Sequence, residues 1–164
     1  MTTAAKSPVI APIAMTFLFN DDLALRALED LSQEELWRAP TNQNNAMLWI
    51  AGHVVQTRAV VLAQLGEPID TGWGDLFERG ASVNDARQYP ERDEIERVMR
   101  AVASRLQARL TSLEDDYLAG PQTMDLPNAT TMVDQLAFFA LHDSYHVGQM
   151  AYIRKSLGYP GIAG

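Results

Sequence analysis

The sequence predicts an all-α protein, an antiparallel four-helix bundle with longer connections after the second and third helices. Three observations carry this. Apolar residues recur at helical spacings in four long segments, no segment alternates over strand length, and capping or breaking residues bound the segments. Amphipathic helices of this kind bury their stripes against one another. With 164 residues and 47% hydrophobic composition, the chain suits one domain, 1–164, with a substantial core.

The first helix is expected from Met15 to Leu31, with Phe17, Ala24, Leu28 and Leu31 on one stripe. "SQEEL" then offers a capping box, Ser32 with Glu35, for a short turn that Pro40 closes. The second helix begins at Asn44 or Asn45, either of which can cap it, and runs through "AMLWIAGHVVQTRAVVLAQL" until Gly66 and Pro68 stop it. Gly66 to Tyr89 is read as a long connection, a crossover or a lid, whose Trp73 and Phe77 cover an end of the core. The third helix follows Pro90, with Ile95, Val98, Met99, Val102, Leu106, Leu110 and Leu113 inward. Its other face carries Arg92, Glu96, Arg97, Arg100, Arg105 and Arg109, the pattern of a solvated face. Gly120 to Asn128 is a loop in which "PQTMDLPN" has room for a brief extended turn. Thr130 or Thr131 then caps a fourth helix, Met132 to Leu157, that ends at Gly158.

Composition excludes several classes of function. The formal charge of -8 repels a phosphate backbone or an anionic membrane surface, so neither nucleic acid nor membrane is expected as partner. The absence of cysteine removes disulfides, thiolate metal ligands and a cysteine nucleophile. Pro8 and Pro12 interrupt the apolar start, a poor match to a secretory signal, and no stretch approaches the roughly 20 apolar residues of a membrane span. The expected location is the cytoplasm.

Two of the three histidines stand in "HDSYH", His142 and His146. Positions four apart on a helix lie about 40° apart round the axis and one turn apart along it, so both rings can aim a nitrogen at one point. His53, in "IAGHVVQT", stands on the stripe of Trp49, Thr57 and Val60 in the second helix. If the second and fourth helices face each other, three imidazoles converge and leave coordination positions open, as catalytic rather than structural metal sites do. The competing reading is three hydrogen-bonded core histidines.

"NAMLWIAGHVV" and "HDSYHVGQMAYIRKSLGYPG" resemble the two signatures of the DinB/YfiT-like superfamily, a W-x-x-G-H element and an H-x-x-x-H-x-G-Q element running into an arginine and a Gly-Pro region. The resemblance spans nearly the whole chain. It implies a bundle binding a divalent metal, zinc or nickel, through His53, His142 and His146. Some members are bacillithiol- or mycothiol-dependent S-transferases or maleylpyruvate isomerases, and many have no known reaction. Asp143 stands where the metalloprotease H-E-x-x-H pattern needs glutamate, and it points aside from the pair.

Around the histidines, Gln149, Tyr145 and Gln56 are candidates to orient a bound water, a substrate carbonyl or a developing anion, or else are polar groups satisfied at the bundle rim. Trp49, Phe138 and Phe139 read as core or pocket wall, and Arg154 either binds an anionic group or complements the helix dipole. Beside a purely structural helical interaction protein with packed histidines, two functions follow from this sequence. One is a metal-dependent transferase or hydrolase acting on a small molecule, with a low-molecular-weight thiol as one substrate class. The other is a non-enzymatic metal-binding stress-response bundle that dimerises along a helix face, and a homodimer is among the expected partners.

Overall fold

The computed structural model describes residues 5–41, 45–81 and 86–163. The described residues hold six α-helices, a short 3-10 turn at Ala86–Gln88 and no strand. Four helices are long: α1 (Ala11–Leu28), α3 (Met47–Gln64), α4 (Arg92–Thr111) and α6 (Met132–Ser156). Two are short: α2 (Gln33–Trp37) and α5 (Asp115–Ala119).

Several boundaries follow the expected chemistry. Ser32 and Glu35 cap α2 reciprocally, and Thr131 with Asp134 does the same for α6. The hydroxyl of Thr131 and the backbone N–H groups of Thr130 and Thr131 hold the Asp134 carboxyl down at about 2. Gly158 follows α6 at φ 89°, the left-handed conformation that glycine adopts without a Cβ penalty.

Others differ. The first helix begins at Ala11, four residues before Met15, because Pro12 sits in the first turn, where its missing N–H leaves no bond unmade. It ends at Leu28, and Leu31 reaches the core from the connection beyond it. Ala46, not Asn45, is the extended N-cap of α3, without a side-chain bond, and Asn44 lies outside the described residues. The turn α5 went unpredicted; its first residues, Asp115 and Asp116, place negative charge where a helix start favours it. The extended piece in "PQTMDLPN" is a single bridge between Pro121 and Thr131.

Packing sets the topology. The principal contacts join α1 to α4 and α6, and α3 to α4 and α6, so the helices form a ring in which α1 and α3 lie diagonally. Bonds between helix ends give the directions. The Lys6 N–H donates to Thr111 O, and Arg92 donates to Leu31 O, which makes α1 and α4 antiparallel. Arg154 donates to Glu29 O, and Arg109 donates to Leu65 O, so α1 runs parallel to α6 and α3 parallel to α4. The bundle is therefore up, down, down, up, rather than antiparallel throughout. Two parallel neighbours require a crossover the length of the bundle, and residues 65–91 supply it.

The arginines of α4 divide accordingly. Arg97 and Arg100 pair with Glu94 and Glu96 on an exposed face, whereas Arg92 and Arg109 satisfy carbonyls at the ends of neighbouring segments. Arg154 behaves likewise: it is buried, and it donates to Glu29 O and Pro160 O rather than facing a cavity.

Trp73 and Phe77 cover the flank of α3 instead of an end of the core. Phe77 is fully buried against Tyr89, with Trp73 edge-on to it. Gly52 makes this approach possible, since a Cβ there would lie 2.4 Å from the Phe77 ring. Gly52→Ala is therefore expected to destabilise the fold by about 1–3 kcal/mol, measured as a lower urea midpoint at unchanged slope.

Candidate metal centre

Antiparallel packing of α3 on α6 brings the three histidines together. His142 Nε2 lies 3.4 Å from His53 Nε2 and 3.2 Å from His146 Nε2, and the three ligand atoms all fall within 4.8 Å of one another. Two ligands held about 2.05 Å from one cation at a tetrahedral angle would stand about 3.3 Å apart. The two short separations match that figure.

The outer nitrogens settle which atoms are free. His53 Nδ1 is 2.7 Å from Phe77 O, and a carbonyl only accepts, so Nδ1 carries the proton and Nε2 keeps its lone pair. His146 Nδ1 donates in the same way to Gln149 Oε1 at 2.8 Å. Two lone pairs thus converge on His142. His142 Nδ1 is buried without a partner, so a proton placed there, as ligation through Nε2 requires, gains no protein bond. In the metal-free state that proton belongs on Nε2, shared with the neighbouring rings, and a cation would take its place. The donor set fits a borderline divalent ion.

Burial, followed by the proximity of His146 and His53, pushes the His142 imidazole down to about 4. Burial also lowers His146, against the bond that its Nδ1 donates to Gln149. Both rings are neutral at pH 7, the form that binds metal. The linkage has a definite sign. A histidine lowered by folding resists protonation that the unfolded chain accepts, so its contribution to stability falls as pH drops from about 6.5 toward about 4. Asp21, raised to about 6 by burial despite the Arg58 charge beside it, works in the opposite direction over pH 4–6. The clean comparison is between metal-free wild type and His142→Asn. Wild type is expected to lose stability relative to the variant on going from pH 7 to pH 4.5, read as the difference between their melting temperatures.

The cluster opens into a cavity of about 600 Å³, larger than the groove of about 430 Å³ between α1 and α4. Trp49 stacks on His53 at 4.9 Å and forms one wall. Asn45, Tyr145 and Gln149 line this cavity and also a neighbouring hollow of about 420 Å³ that continues past Gly148 and Tyr152 to Ile50 and Ile153. Asn45, expected as a helix cap, is thus a cavity residue.

Of the three polar candidates, Gln149 and Tyr145 stand at the site. Gln149 accepts from His146, and its Nε2 donates to the Tyr145 hydroxyl oxygen at 3.1 Å. Tyr145 is 62% exposed at the cavity rim, and its own proton remains available. Gln56 is elsewhere: it accepts from Thr71 Oγ1 and donates to Gly74 O, which pins the crossover to α3. Asp143 points aside, as the helical geometry requires, into a buried cluster. Arg58 forms a two-pronged pair with it, Nε to Oδ1 at 2.9 Å and Nη2 to Oδ2 at 2.8 Å, and also pairs with Asp21. Sequence reasoning passed over this cluster, although Arg58 is the one charge in the otherwise uncharged stretch from Ala46 to Leu65.

A helical scaffold that holds three imidazoles at the mouth of a cavity defines a candidate metal-binding protein. The family profile of the DinB superfamily matches residues 17–150, and the chain belongs to that superfamily. The crystal structure of a conserved protein from Enterococcus faecalis shares the fold, with a TM-score of 0.71 and 13% identity over 88% of this chain and 94% of that one. No curated protein matches the sequence. Among the described residues, no helix is long and apolar enough to cross a membrane.

Proposed function

We propose that this DinB superfamily member is a metal-dependent enzyme of the thiol S-transferase or hydrolase kind, working in the cytoplasm with zinc or nickel held by His53, His142 and His146. One observation carries the reading. The three Nε2 atoms meet at a cavity of about 600 Å³, and among the described residues no other histidine or acidic side chain joins the cluster. An open position beside a space for a small molecule is what catalysis needs, whereas structural sites close with four protein ligands.

A divalent cation bound there lowers the pKa of a coordinated thiol or water and so supplies a nucleophile near neutral pH. The chain's own groups do the rest. Gln149 fixes the His146 ring and aligns Tyr145, whose proton is free to be donated toward charge developing in the cavity. In the transferase form a thiolate sulfur bonds to the acceptor carbon, the leaving group departs with its electron pair, and the thiol proton passes to solvent.

The test loads untagged protein with zinc or nickel and follows two reactions, 2-mercaptoethanol with 1-chloro-2,4-dinitrobenzene and hydrolysis of 4-nitrophenyl acetate. Metal-dependent acceleration of either, lost in His53→Ala and His142→Ala, supports the reading. Rates that ignore both the metal and the histidines contradict it.

The dimerising, non-enzymatic alternative draws on a different feature. Phe19 of α1 and Leu141, Tyr145 and Tyr152 of α6 are all more than 60% exposed, large apolar side chains on two adjacent parallel helices. Sedimentation analysis of wild type and Leu141→Glu separates the readings: a wild-type dimer that the variant disrupts, combined with metal binding but no turnover, favours the alternative.

A further inference from the structure

The cavity beside the histidines differs in charge from the molecule around it. The chain carries a formal charge of -8, yet no carboxylate is among the described residues lining this space. Its one permanent cation is Arg79, on the crossover. Among the described residues this guanidinium has no ion pair and no hydrogen bond; Arg26, Arg38 and Arg105 have none either, but of these four arginines only Arg79 lines the cavity at the histidines. An acidic protein that keeps carboxylates out of one cavity, and places an unengaged guanidinium at its wall, has built a region where an anionic group is attracted against the overall field.

From this we infer that Arg79 is a specificity-determining residue, the anchor for a carboxylate on the small molecule whose thiol meets the metal centre. The inference rests on the thiol reading proposed above. The substrate class is then a thiol joined to an anionic group by a linker long enough to reach from the histidine cluster to the crossover. The guanidinium fork suits a carboxylate because two parallel N–H donors match its two oxygens. Placing this recognition on a crossover side chain that is none of the three ligands allows substrate choice to change without replacing a metal ligand.

The test uses full-length protein loaded with cobalt(II), whose visible spectrum reports a sulfur ligand. Two probes, 6-mercaptohexanoate and 6-mercaptohexanol, have flexible chains of equal length and differ only at the far end from the thiol. Each is titrated into wild type, Arg79→Gln and Arg79→Lys at low salt. Replacing Arg79 by glutamine is expected to shift the ratio of the two affinities about five- to tenfold against the carboxylate, with 6-mercaptohexanol binding and cobalt affinity unchanged. Lysine, which keeps the charge but not the fork, should retain only part of the preference, and added salt should shrink the wild-type preference, since an exposed cation is screened. If both thiols alter the spectrum with the same affinity ratio in wild type and Arg79→Gln, the assignment of Arg79 is wrong while the thiol reading stands. If neither thiol alters the spectrum of the loaded protein, the thiol reading fails and this inference with it.

Discussion

Alanine at position 142 is expected to take bound zinc from one equivalent per chain to below a tenth, and to abolish the rise in melting temperature that zinc gives the wild type. His142 is the ring nearest both others, at 3.4 and 3.2 Å, so its loss leaves His53 and His146 without the ligand that bridges them. A cation present at a hundred times its Kd stabilises the folded state by about 2.7 kcal/mol. For a chain of this size that is a shift of roughly 5–10 °C, large enough to read by calorimetry. Gln56→Ala is the internal control. Its side chain holds the crossover and not the cluster, so it should retain zinc.

The second large effect lies beside the site. Arg58→Ala is expected to cost about 3–5 kcal/mol, because it leaves the buried carboxylate of Asp143 and the partly buried one of Asp21 without their cation. Against a total stability of about 5–15 kcal/mol, this variant will be partly unfolded at 37 °C or close to it. The loss should reach the metal as well. Arg58 on α3 reaches α1 and α6 through Asp21 and Asp143, and Asp143 directly follows His142, so the pair fixes the register in which His53 meets its partners. Adding Asp21→Asn and Asp143→Asn to Arg58→Met should recover much of the stability, since a neutral cluster carries no stranded charge. Urea denaturation of the single and triple variants checks this, and a triple variant no more stable than the single would refute it.

Much of this molecule was legible in the sequence, and the parts that were not share a cause. The long helices and the Ser32 and Thr131 caps follow from local rules, since periodicity and side-chain bonds to nearby backbone act within a few residues. The histidine cluster was legible because the chain has only three histidines, two of them one turn apart. What escaped depends on distant partners. The parallel pairing of α3 with α4 shows only in bonds such as Arg109 to Leu65 O, made across the bundle. Arg154 and Arg109 carry the same composition as solvated arginines, and tertiary contact alone distinguishes them. The function of Gly52 was hidden because nothing near it in the chain names Phe77 as the ring it admits. Arg58 was different: a lone charge in an apolar helix signals a buried ion pair, though not which carboxylates complete it.

The most direct test of the central claim is a crystal of untagged protein equilibrated with zinc, with an anomalous difference map recorded at the zinc edge. One peak per chain is expected, about 2.0–2.1 Å from Nε2 of His53, His142 and His146, with water or a small molecule in the remaining position. A peak elsewhere, a fourth protein ligand closing the site, or no peak at the three rings would contradict it.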